Sequence, residues 1–138
     1  MSKGSTRLKS PLAEAMPVAR QPRTGSRPTL DLVHLARQSL GDKDRETEIL
    51  ALFDQQAAQA MDRLTGLDPR DGTVAADLAR MLAASARIAG AFGVASACLA
   101  YEAVVVSSST GEAGRPALDH LGTEIARVRE VIGELLGA

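Results

Sequence analysis

The chain of 138 residues has no tryptophan, one tyrosine, two phenylalanines and a single cysteine. With Phe53, Phe92 and Tyr101 as its only aromatics, it cannot build the ring platforms on which modules of single-stranded nucleic-acid or sugar recognition stack their ligands. One thiol, Cys98, excludes an internal disulfide and any cysteine-based zinc site, and His34 and His120 lie too far apart in sequence for metal-ligand spacing. No metal and no cofactor are expected, and a reducing cytoplasm is the expected compartment. Long hydrophobic runs are also missing: the longest uncharged stretch, Ile88 to Tyr101, is fourteen residues, too short to cross a bilayer and suited to a buried helix. Lys3, Arg7 and Lys9 near the N-terminus are followed by no continuous apolar core, which speaks against a secretory signal.

What is present points to one helical domain. Hydrophobic residues make up 45% and charged residues 24%, an ordinary globular balance, with alanine and leucine in place of aromatics. The net charge of -1 conceals two unlike parts. Residues 1 to 28 hold six basic side chains against Glu14 and four of the six prolines, a net of +5, with few large apolar residues; a disordered leader is expected there. Residues 29 to 138 hold ten basic and sixteen acidic side chains, a net of -6, a poor surface for gripping a phosphate backbone. No nucleic-acid partner is expected of that domain.

From Thr29 onward the apolar residues recur at helical spacing. Thr29 reads as the N-cap of a short helix over Leu30 to Leu40 that stops at Gly41. A second helix starts near Asp42 or Asp44 and reaches about Leu64, carrying Ile49, Phe53, Ala57, Ala60 and Leu64 on one stripe. After the Pro69-Arg70-Asp71-Gly72 turn, a third helix from Thr73 is expected to bury Val74, Leu78, Leu82, Ser85 and Ala89, with Gly90 and Gly93 bracketing a reversal. A fourth helix over Val94 to Ser107, nearly free of charge, should be the most buried element. Ser108 to Arg115 reads as a polar loop, and Pro116 opens a last helix with Leu118, Leu121, Ile125, Val128, Ile132 and Leu135 in alternating steps of three and four. The expected fold is all-α: an antiparallel four-helix bundle with an additional short N-terminal capping helix.

Opposite the expected core stripe of the third helix stand Arg80, Ala83, Ala84 and Arg87, spaced i, i+3, i+4, i+7. Two small residues between two long donors allow close approach by a partner whose carboxylates the guanidinium groups would pair; a plain solvated face is the alternative. The segment Leu78-Ala-Arg80-Met-Leu82-Ala-Ala-Ser85-Ala-Arg87-Ile-Ala-Gly90-Ala-Phe92 resembles the signature of histidine-containing phosphotransfer (HPt) domains, whose third helix carries Ala-His-x-Leu-Lys-Gly-Ser-Ala before a Gly-Ala turn. Asp31-Leu-Val-His34-Leu-Ala-Arg37-Gln-Ser-Leu40-Gly41-Asp42, Glu48-Ile-Leu-Ala-Leu-Phe53 and Cys98-Leu-Ala-Tyr101-Glu102-Ala103 are similar to that family's flanking helices, so the likeness spans residues 29 to 138. It implies a module of a bacterial two-component phosphorelay.

The departures from the pattern carry further implications. Arg80 stands where the family has its phosphorylated histidine, Ala83 where it has a lysine and Ala84 where it has a glycine, while Leu82, Ser85 and Ala86 match. A guanidinium stays protonated and cannot serve as the in-line nucleophile that an imidazole provides. The resemblance therefore implies a pseudo-HPt, not an enzyme, that binds receiver or histidine kinase domains through Arg80, Ala83, Ala84 and Arg87 without carrying phosphate. Two other readings stand beside it. In one, His34 (with Arg37 and Gln38 three and four residues on) or His120 (with Thr123 and Glu124) carries phosphate in a non-standard way. In the other, the last helix pairs with a second copy, so that the chain is a structural, self-associating bundle; for the pseudo-HPt reading a monomer or weak homodimer is expected. Cys98 reads as a core residue, and Asp42, Asp44, Glu46 and Glu48 as charges favouring a helix N-terminus.

Overall fold

The computed structural model describes residues 28–108 and 111–137; the expectation of a leader over residues 1 to 28 lies, Pro28 apart, outside the described residues. They form five α-helices and no strand: α1 (Leu32–Gln38), α2 (Lys43–Gly66), α3 (Gly72–Ala89), α4 (Phe92–Ser107) and α5 (Arg115–Leu135), with a 3-10 turn over Gly111–Gly114 inside the expected polar loop. The described residues are all-α, as composition and periodicity predict.

Local chemistry sets the ends of these helices. The cap of α1 is Asp31 rather than Thr29: its carboxylate accepts the His34 backbone N–H at 3.0 Å. A carboxylate both bonds the free amides and complements the positive end of the helix dipole, which a hydroxyl does not. Asp42 does the same for α2, accepting from the N–H groups of Asp44 and Arg45 at 2.9 and 3.2 Å. Helix α3 ends on Gly90 at φ +86°, with Ala91 N–H on the Ala86 carbonyl at 2.8 Å and Gly90 N–H on that of Arg87 at 3.3 Å, a Schellman closure. The reversal is thus confined to Gly90 and Ala91, and Gly93 lies inside α4. Pro116 occupies the first turn of α5, where a missing N–H costs nothing.

The long helices touch in the order α2–α3, α3–α4, α4–α5 and α5–α2, the α3–α4 contact being the most extensive, and α1 rests on α3 and α2. Between them lie Leu50, Phe53, Ala57 and Leu64 of α2, Val94, Cys98 and Tyr101 of α4, and Leu121, Ile125, Val128 and Ile132 of α5. Two expectations change here. The buried stripe of α3 is Ala75, Ala79, Leu82, Ala86 and Ala89, with Ala76 and Ala83 beside it, while Val74 is exposed and Leu78 and Ser85 are only half-buried. Alanine lets α3 and α4 approach closely enough to exclude water without large side chains, so the smallest residues face inward. Nor is α4 buried all round: Ser96, Leu99, Ala103 and Val106 are exposed on an uncharged face.

Candidate functional site

The exposed surface of α3 carries Asp77, Arg80, Met81, Ala84, Arg87 and Ile88, the i, i+3, i+4, i+7 set left over once alanines take the core. Three of the four residues expected on a partner-binding face are there. Ala83 is not: it is 0% exposed, four residues after Ala79 and three before Ala86, and so belongs to the buried stripe. A partner cannot touch it without opening the core.

Arg80 is the centre of an ion-pair network between two helices. Its Nε and Nη2 donate to one oxygen of Glu102 on α4 at 2.9 and 2.6 Å, and its Nη1 donates to Asp77, one turn earlier on α3, at 3.1 Å. The Glu102 side chain is 19% exposed and that of Arg80 59%, so a half-sunken carboxylate anchors a guanidinium whose outer face meets solvent. Hydrogen bonding to Glu102, followed by the nearby charges of Glu102 and Asp77, raises the Arg80 pKa above its ordinary value. The group is a permanent cation and a planar donor fork. Arg87, seven residues on, points its charge from the last turn of α3, where a cation favours the negative end of the helix dipole, and pairs with no carboxylate among the described residues.

The two histidines have separate fates. His34 is half-buried, with Nε2 2.6 Å from the Arg87 carbonyl oxygen and its ring edge-to-face with Phe92 at 5.0 Å. As an Nε2–H donor it ties α1 to the end of α3, which occupies that nitrogen. His120 is exposed on α5, on the far side of the sequence from Arg80, and forms no hydrogen bond among the described residues. The structure brings neither histidine to the Arg80 network. Cys98 is fully buried, and loss of solvation pushes its thiol up to about 12, which leaves it unreactive at neutral pH.

The residues that sequence reasoning missed are Asp77 and Glu102. The i, i+3 spacing of Asp77 and Arg80 was a usable signal; the Arg80–Glu102 pair spans two helices and could be found only by placing the Gly90 reversal to the residue. Among the described residues no three of His, Cys, Asp and Glu gather as a metal site, and no helix is long and apolar enough to cross a membrane. Comparison of the chain with family models, with characterised proteins and with solved structures finds no significant match.

Proposed function

We propose that the chain is an HPt-like signalling module of a bacterial two-component phosphorelay: an antiparallel four-helix bundle, α2 to α5, capped by α1. It docks on receiver or histidine kinase domains in the cytoplasm and carries no phosphate itself. The observation behind this reading is the exposed Arg80 guanidinium in the middle of α3, gripped from behind by Glu102 at 2.6 Å, at the position where the resemblance has its phosphoacceptor. A protonated guanidinium accepts no phosphoryl group, but its fork pairs with the carboxylates of an acidic pocket. Ala84 beside it leaves room for close approach, and Arg87 adds a second donor.

The network gives docking a built-in competitor. In the free protein Arg80 is satisfied by Glu102 and Asp77, so a receiver must supply carboxylates that replace them. The uncharged α4 face of Leu99, Ala103 and Val106 offers apolar contact on the helix that holds Glu102. A small interface with charges at its centre binds transiently and weakens with salt. Titration of purified receiver domains tests the reading: Arg80→Gln is expected to abolish binding and Glu102→Gln, which frees the fork, to strengthen it. Incubation with a phosphorylated receiver is expected to leave no acid-labile label on His34 or His120; a label on either residue contradicts the proposal.

A further inference from the structure

Where α2 runs into α3 and α4 runs toward α5, the fold forms an open cleft of about 520 Å³, lined on one side by Leu64, Val105 and Leu118 and elsewhere mainly by polar and charged side chains. Tyr101 also lines it and is 6% exposed, yet its phenol hydroxyl bonds to no described group. A buried tyrosine hydroxyl ordinarily has a partner, because leaving it unpaired forfeits the hydrogen bonds it had in water. The ring lies beneath Gly114, where an added Cβ would stand 3.3 Å from Cε1, so Tyr101 is held close to the start of α5.

The charges around the cleft are unevenly matched. Arg70 is neutralised by Asp68, with Nη2 and Nε at 3.0 and 3.2 Å from its carboxylate oxygens. Arg115, directly after Gly114, lines the cleft and pairs with no carboxylate among the described residues. Asp71 also lines it at the N-terminus of α3; its carboxylate makes no cap hydrogen bond and acts on Arg70, so both carboxylates of the cleft, Asp68 and Asp71, bear on that one guanidinium. Two donors without acceptors, one neutral and one cationic, therefore flank an apolar wall.

We infer that this cleft takes a small organic carboxylate with an apolar body, its oxygens between the Tyr101 hydroxyl and the Arg115 guanidinium and its body against Leu64, Val105 and Leu118. The Tyr101 hydroxyl, which has no protein partner among the described residues, then serves as a ligand group. The size of the cleft falls within the range of small-molecule sites. This inference does not depend on docking through Arg80.

Benzoate is the probe, titrated into the full chain while backbone amide resonances are followed, with benzylamine and benzyl alcohol as the cationic and neutral controls. Benzoate is expected to shift amides near Tyr101, Val105 and Arg115 in a saturable way. Tyr101→Phe and Arg115→Gln are each expected to weaken it by about tenfold, the scale of one lost hydrogen bond or ion pair to a charged ligand. Tyr101→Phe keeps the buried ring and removes an oxygen that bonds no described protein group, so the packing of α4 is retained and amide resonances away from the cleft are expected to stay in place. Unchanged benzoate affinity in both variants, no saturable shift with benzoate, or equal binding of benzylamine through Asp71 would each overturn the inference.

Discussion

Replacing Gly90 with alanine adds one methyl group at a place where two separate demands meet. The residue has φ +86°, which a side chain resists, and the new Cβ would lie 2.7 Å from the Asp31 carbonyl oxygen and 3.3 Å from its nitrogen, both backbone atoms with no freedom to turn aside. The Asp31 N–H donates to the Gly90 carbonyl at 2.9 Å, so any shift that relieves the overlap also breaks the bond that seats α1 on α3. Gly41 supplies the control, because it has φ +79° and nothing within 4 Å of an added Cβ. A left-handed non-glycine residue costs about 1–2 kcal/mol, partly offset by roughly 0.4–1 kcal/mol from the stiffer unfolded chain, so Gly41→Ala is expected to lose about 1 kcal/mol or less. Gly90→Ala adds the overlap, on the order of 1–3 kcal/mol for forced repacking, and is expected to lose roughly 1–4 kcal/mol in all. Urea unfolding followed by circular dichroism reads both variants on one scale. Equal losses for the two, or a Gly90→Ala loss under about 0.5 kcal/mol, would refute the argument that α1 is seated against Gly90.

Two further outcomes follow from single residues. Leu40 holds φ +56° with 92% of its surface exposed, so Leu40→Gly relieves strain without losing packing; it is expected to stabilise the protein by about 0.5–1 kcal/mol in the same assay, and destabilisation would contradict the strain. Cys98 titrates at about 12 when folded and at 9.0 when exposed, so the unfolded state loses its proton first as pH rises. Its contribution is complete below pH 9 and declines between 9 and 12 by about 1.4 kcal/mol per pH unit, a slope that Cys98→Ala is expected to remove over pH 9 to 10, before Tyr101 ionises in the unfolded chain. An unchanged slope in that variant would show that another group sets the alkaline limit.

The parts of the fold legible in the sequence are those whose core positions are filled by large side chains. Phe53, Ala57 and Leu64 of α2 and Leu121, Ile125, Val128 and Ile132 of α5 are buried where periodicity placed them. Helix α3 misled for a physical reason: its inward face is alanine, a residue equally at home on a surface, so the larger Val74 and Leu78 drew the expected stripe one position back and left Ala83 on the outside. In α4 the absence of charge predicts burial, yet Leu99, Ala103 and Val106 are exposed, because α4 packs against α3 and α5 and no described helix covers its remaining face. Arg80 and Arg87 were legible as exposed residues; the carboxylate that grips Arg80 was not, since no local rule pairs residues across a reversal. The place of Tyr101 on a cleft is likewise not legible, because the cleft is formed by the ends of four helices that no local pattern brings together.

The central claim is that Arg80 docks on an acidic partner after leaving Glu102. The most direct measurement is the affinity of receiver and histidine kinase domains from the source organism for the parent chain, Arg80→Gln and Glu102→Gln, by isothermal titration at low and high salt. The expected result is that one such domain binds the parent, that Arg80→Gln loses it, that Glu102→Gln binds more tightly, and that added salt weakens both complexes. If no domain binds the parent, or if the same domain binds all three chains equally, the Arg80 network is an internal brace between α3 and α4 and the docking function is wrong.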